Sequence, residues 1–308
     1  MTWLTWRQFR TQAALALLAL VAIVVALAVT GPRVVDLSRS ADIGGHYKTF
    51  RLLGTFLIGV PAIIGAFWGA PLVAREYEGG THRMVWTQSV TRGRWLAVKL
   101  LLIGTAAAAV TAAFSLAFTW WSLPFDRIDG RLGSGVFGQR GIVPVGYALF
   151  AFVLGVTLGA VTRRTIPAMA STLVAFFVTR FSVQTWIRPR LLAPIDVAAP
   201  IRTFAGPATP RGGMIVSAHS VDRAGHSLGS TGAVRDRVLP RLCAFNPRGR
   251  PSDAQLASCA RRLGVHDVLT VHPAGQFWPL QLWETAIFLV LAAGVATFCF
   301  WWLRHRSS

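Results

Sequence analysis

Six long apolar runs decide which solvent this chain can live in. Ala13 to Val29, Leu52 to Val73, Leu100 to Trp121, Ile142 to Val161, Ile166 to Ile187 and Trp278 to Leu303 each reach the roughly 17 to 25 residues a helix needs to cross a hydrocarbon core. Backbone N–H and C=O groups find no water there, so segments of this kind satisfy themselves as helices. Composition agrees: only 14% of residues are charged, against about 25% in soluble domains. The sequence predicts an all-α membrane protein with six transmembrane helices.

Ahead of the first run, Trp6, Phe9 and Ala13 fall on one helical face opposite Gln8 and Thr11, which predicts an amphipathic interfacial helix over residues 1–12. Ala26-Leu27-Ala28 imitates a signal-peptidase site. The run is too long for a typical signal core, so it is read as a retained span. With the amino terminus inside, inner flanks hold Arg7, Arg10, Arg75, Arg83, Arg92, Arg94, Lys99, Arg163, Arg164, Arg304 and Arg306, outnumbering the basic residues of the two short outer loops. That bias predicts a multi-pass protein with both termini cytoplasmic, including the tail 304–308.

Residues 188–277 interrupt the pattern with a Pro-, Gly-, Arg- and Ser-rich stretch of about 90 residues, read as an extracytoplasmic loop domain between helices 5 and 6. Long segments cross a membrane largely regardless of their charge, so its arginines do not argue against that side. Cys243 and Cys259 could there close a disulfide that staples a domain with little core. In an inward-facing loop they would stay two thiols. Trp120, Trp121, Trp186, Trp278, Trp301 and Trp302 stand at span ends as interfacial anchors. Gly65 to Gly69 and Gly155 to Gly159 give small-xxx-small faces for close helix packing, without naming partners.

Several patterns invite a chemical reading. The net charge of +19 is dispersed, and only Lys48 and Lys99 are lysine; no basic tract suited to nucleic acid is present, and none is expected as a partner. Gly225-His226-Ser227-Leu228-Gly229 matches the G-x-S-x-G elbow of serine hydrolases, with Asp236 and His266 following in order. An elbow needs a strand feeding a helix in a large sheet, whereas these flanks read as loop. His219, His226, His266 and His272 lack the tight spacing of a metal site, so no metal ligands are expected. No lysine follows glycine as a P-loop requires. Energy for any work would have to come from another subunit.

Two charges fall within spans, Arg180 and Glu284. Counted from the outer span ends at about 1.5 Å per residue they reach similar depth, and isolated charges there are costly, which predicts an intramembrane pair. The other reading is that each meets water or snorkels on its own.

Between the second and third runs lies a charged, glycine-broken island, Arg75 to Lys99, holding Glu76 and Glu78. Phe67 through Arg83, continued by Trp86-Thr87-Gln88-Ser89-Val90-Thr91-Arg92, resembles the loop between spans two and three of ABC-2-type transporter permeases. His272-Pro273-Ala274 through Trp283-Glu284-Thr285 resembles the approach to the last span in actinobacterial members of that family. The likeness covers the six-span plan and these two segments, and leaves the outer domain unmatched.

In such permeases this loop is the element that docks on a separate ATPase. The resemblance therefore implies an ATPase-coupling element at Arg75, Glu76, Glu78, Gly79, Gly80, Thr81, His82, Arg83, Thr91 and Arg92. It also implies a non-catalytic subunit in the cell membrane, dimeric with itself or a similar permease. Two ATPase subunits would bind ATP and magnesium, and the chain itself would need no cofactor. The implied activity is export. Few polar residues in the spans (among them Thr105, Thr111, Ser115, Thr119, Ser171 and Thr172) suggest an amphipathic or hydrophobic cargo. A non-transporting anchor or regulator of an ATPase complex is the alternative, with a membrane-attached serine hydrolase third.

Overall fold

The computed structural model describes residues 2–39, 57–80, 91–127, 130–133, 136–201, 212–243 and 252–305. The chain divides into a helical unit, from Met1–Phe125, Gly135–Arg188 and Trp278–Ser308, and a smaller unit from Asp126–Ser134 and Pro189–Phe277.

The helical unit opens with α1 (Thr2–Arg39), one helix with Pro32 inside it. No break separates residues 2–12 from the first apolar run, so the described part of the predicted interfacial helix and that run form a single helix. Next comes α2 (residues 60–78), in which Val60–Ile64, a π-helical turn at Gly65–Gly69 and Ala70–Glu78 succeed one another without interruption. Pro71 lacks the N–H that would close an α-turn there, and the wider turn accommodates that loss. After α3 (Arg92–Ser122) and α4 (Val143–Thr162) comes α5 (Thr165–Ser182), extended by a π-turn at Val183–Ile187 and a short 3-10 turn at Arg188–Arg190.

The last helix of this unit is α8 (Phe277–His305). Among the described residues, four helices are long and apolar enough to cross a membrane: Gly93–Ser122, Val143–Thr162, Thr165–Arg190 and Ala274–His305. The apolar part of α1, Leu17–Arg33, is shorter, and the run from Leu52 starts outside the described residues.

Lipid is as apolar as leucine, so these helices hold together by close packing rather than by escape from water. The two glycine faces meet each other. A Cβ on Gly65 would lie 2.5 Å from the Ala151 carbonyl oxygen, and one on Gly159 would lie 2.5 Å from that of Ala70. Around this contact Ile64, Trp68, Val73, Trp95, Leu96, Phe152 and Val156 form a buried cluster. Span hydroxyls mostly return to backbone carbonyls of their own helices, as Thr111 does to Ala107 and Thr172 to Ala168.

The smaller unit corrects the all-α expectation. It contains a four-stranded antiparallel sheet from β1 (Ile195–Ala199), β2 (Met214–Val221), β3 (Ser227–Ser230) and β4 (His266–His272), in the order β1-β4-β2-β3. Central β4 alternates as a strand should, with Asp267, Leu269 and Val271 buried. Between β3 and β4 lie α6 (residues 231–242, with a π-turn at Val234–Val238) and α7 (Asp253–Leu263). Ser252 and Gln255 form a capping box at the start of α7, and Gly264, at φ 72°, ends it. Val234, Leu239, Leu256, Ala260 and Val265 make the small core. Cys243 and Cys259 are joined by a disulfide, Cα atoms 6.2 Å apart, which ties the end of α6 to α7.

Candidate functional site

The island of charge begins where α2 ends. Arg75 and Glu78 are exposed on its last turns, and Gly79 and Gly80 stop it, the latter at φ 67°. Thr81, His82 and Arg83 lie outside the described residues. Thr91 is the N-cap of α3, its hydroxyl accepting from the Arg94 amide at 3.4 Å, and Arg92 is the first helical residue.

The two glutamates turn back into the helical unit. Glu76 forms an ion pair with Lys99 of α3, whose side chain is 4% exposed and whose ammonium also lies 4.5 Å from the Trp95 ring. Glu78 accepts from the Thr165 amide at 2.8 Å and from its hydroxyl at 2.7 Å. Arg164, the N-cap of α5, supplies no capping side chain. The Glu78 carboxylate therefore caps α5 from another helix, where the helix dipole favours a negative charge. Its pKa is lowered, first by the Thr165 amide and then by the Thr165 hydroxyl, with smaller pulls from Arg164 and Arg75. The Tyr77 ring lies 5.2 Å from the guanidinium of Arg163, the left-handed residue that ends α4.

A second polar cluster sits at the other ends of these helices, and it corrects the predicted Arg180–Glu284 pair. Glu284, fully buried on α8, is gripped by Arg188, with Nε 2.7 Å from Oε2 and Nη2 2.8 Å from Oε1. Tyr147 of α4 donates its hydroxyl to the same carboxylate. Arg180 instead donates to the Ile58 carbonyl at 2.7 Å and stacks 4.5 Å over the Tyr147 ring. By composition Arg188 is the first residue of the Pro-, Gly-, Arg- and Ser-rich stretch 188–277. The π-turn carries the helical path of α5 onward, so Arg188 reaches the carboxylate in the bidentate geometry that arginine favours. Nearby, Gln281 accepts from the Ile142 and Val143 amides at 3.1 and 3.0 Å and donates to the Phe137 carbonyl at 3.0 Å, a second cap supplied by another helix.

The G-x-S-x-G segment is a hairpin. Asp222 accepts from the Ala224 and His226 amides at the turn, and Gly225 has φ 86°. Val221 pairs with Ser227 on one side and with His266 on the other. Two strand spacings, about 9.6 Å, therefore separate serine from histidine, too far for proton transfer. Asp236 pairs with Arg235. Among the described residues no three His, Cys, Asp or Glu side chains converge on a metal-sized site.

Residues 13–188 match the family described as ABC-2 membrane transporter related. One relative, an uncharacterized protein named YcbO from Bacillus subtilis (strain 168), is 26% identical over 181 residues, which cover 54% of this chain and 78% of that protein. No solved structure matches. The matched region runs from the first apolar helix to the arginine that grips Glu284, more than half of the sequence, and the chain belongs to the ABC-2 membrane transporter related family.

Proposed function

We propose that this chain is the permease subunit of an ATP-driven exporter, working as a dimer with two copies of a separate ATPase. The observation that carries this reading is a membrane domain of the ABC-2 family without the glycine-lysine loop needed to hold nucleotide phosphates. ATP hydrolysis then belongs to the partner, and the segment between α2 and α3 is where the partner acts. Differential affinity of the nucleotide-bound partner for inward- and outward-open states drives the cycle, since equal affinity would shift nothing.

On this reading both termini and the segment 79–91 face the cytoplasm, and the smaller unit lies outside the cell membrane. The disulfide supports that placement, because such bonds persist in oxidising compartments. The cargo is amphipathic or hydrophobic: hydroxyls in the spans are engaged with backbone, and large apolar side chains dominate their exposed faces.

Purification of the tagged full-length chain from its native membrane tests the proposal. A P-loop ATPase should accompany it, and in lipid nanodiscs the complex should hydrolyse ATP faster when a transported amphiphile is added. Recovery of the chain with no ATPase bound would overturn the reading. An ATPase complex that binds amphiphiles but never moves them across vesicles would replace it with the anchor.

A further inference from the structure

His272 ends β4 and is fully buried, yet it takes no part in the clusters described above. Its Nε2 lies 3.2 Å from the Pro189 carbonyl oxygen, and its Nδ1 lies 2.6 Å from Oε1 of Gln276. Gln276 in turn donates through Nε2 to the Ala193 carbonyl at 3.0 Å. The three contacts form one chain of hydrogen bonds that begins and ends on a backbone carbonyl.

Carbonyl oxygens only accept, which fixes where the protons of that chain sit. At the Ala193 end Gln276 must present its amide nitrogen, so its oxygen is the atom turned to the imidazole. Turning the amide over would set two oxygens 3.0 Å apart. Nδ1 must then carry a proton for Gln276, and Nε2 must carry one for Pro189. A neutral imidazole has a single N–H. Only the imidazolium completes the chain.

Pro189 lies in the 3-10 turn that ends the extension of α5, and Ala193 precedes β1. His272 and Gln276 stand on the approach to α8. The hydrogen bonds therefore join the exit of one span to the entry of another. Other ionisable groups on the elements packed against His272 are Asp196 of β1, which accepts from Thr270 two residues along β4, and His219 of β2. Arg188, held by Glu284, and Arg190 flank Pro189, and His266 and Asp267 lie on β4 itself.

We propose that His272 is a proton-operated clasp. Its cation joins the exit of α5 to the entry of α8, and loss of one proton turns a nitrogen lone pair toward an oxygen and opens the join. Histidine is the side chain that ordinarily changes charge between about pH 5 and 8, and a buried polar group left unmatched is costly. The clasp is complete in acid and weakens as pH rises. The compartment sensed is the one the smaller unit faces, outside the cell on the permease reading. Reversed topology would change that compartment and leave the clasp as it is.

Hydrogen exchange of the full chain in lipid nanodiscs tests this, read as protection of residues 189–195 and 272–277 at about pH 5.5 and about pH 8.5, either side of the ordinary histidine range. Wild-type protection should fall about tenfold or more between them, the size of one hydrogen bond to a charged group. Gln276→Met removes the acceptor facing Nδ1, lets a neutral ring serve Pro189, and should flatten the response. Gln276→Glu gives Nδ1 a carboxylate and should keep protection at the higher pH, while His219→Gln should respond as the wild type does. Ring nitrogen NMR signals of His272, assigned by their loss in His272→Gln, should show two protonated nitrogens at the lower pH.

The clasp is overturned by wild-type protection that is flat or rises with pH, by Gln276 variants that respond as the wild type does, or by a response that disappears in His219→Gln. A ring with one bare nitrogen at the lower pH overturns it equally. Should His272→Gln fail to fold, exchange in the two Gln276 variants decides.

Discussion

Glu284 and Glu78 show how much a single carboxylate can organise in a membrane protein. Glu284 is fully buried and its oxygens are shared between Arg188 and Tyr147. Removing one partner of such a pair strands the other charge, which costs about 3–5 kcal/mol, whereas replacing both by apolar groups of similar volume is often neutral or better. Glu284→Ala should therefore lower thermal stability in detergent sharply, and Arg188→Met with Glu284→Leu should recover most of it, as read by melting of the purified chain. The carboxylate at the surface predicts differently. Because the pKa of Glu78 is lowered in the folded state, its contribution is present above the ordinary carboxylate range and is lost as pH falls through the lowered value. The melting difference between wild type and Glu78→Ala should shrink on acidification, and a difference that grows would contradict the cap. Both glutamates were visible in the sequence as anomalies. Their partners were not, because a partner depends on where a helix continues, and nothing in the string Trp186-Ile187-Arg188 announces the π-turn.

At the level of elements, two helix starts are capped by side chains from elsewhere, α4 by Gln281 and α5 by Glu78. Residues Ile142 and Arg164 at those N-caps provide no side-chain bond of their own, so sequence rules that look for a local Ser, Thr, Asp or Asn find nothing there. Glycine spacing was legible, and the structure supplies the missing partner by setting Gly65 and Gly69 against Gly155 and Gly159. Any Cβ on Gly155 would collide with the Gly65 carbonyl, a backbone atom that cannot step aside. Gly155→Val should then separate α2 from α4 and abolish monodisperse protein, while Gly294→Ala, where nothing lies within 4 Å, should be neutral. A Gly155→Val protein as stable as wild type would mean the helices do not meet there. The sheet was the larger miss. Its alternation in β4 was present in Asp267, Leu269 and Val271, but seven residues amid Gly-, Pro- and Ser-rich sequence gave too short a signal to outweigh the loop reading. Cross-linking α6 to α7 over a 16-residue separation restricts the unfolded chain by about 3 kcal/mol for a loop of that size. Cys243→Ser with Cys259→Ser should accordingly make the smaller unit cleavable by protease under conditions where the oxidised protein resists.

The molecule as a whole gains its direction from contacts within the helical unit. Glu76–Lys99, Tyr77–Arg163 and Glu78–Thr165 gather the end of α2, the start of α3, the end of α4 and the start of α5. Tyr147, Arg188 and Glu284 gather the start of α4, the extension of α5 and the start of α8. Helices α4 and α5 therefore run in opposite senses between two polar ends, as the alternating apolar runs required. The smaller unit is built from Asp126–Ser134 and Pro189–Phe277, which are separated in sequence by α4 and α5. On the permease reading the basic residues at the Glu76 end mark the inside, and the disulfide marks the smaller unit as outside. A membrane-impermeant maleimide should therefore label Ala224→Cys, at the exposed hairpin turn, in intact cells, and should label Arg75→Cys only after permeabilisation. Background is low because Cys243 and Cys259 are bonded and Cys299 is buried. The reverse pattern would place segment 79–91 outside the cell, where no ATP-hydrolysing partner could reach it, and the permease reading would fall with the topology.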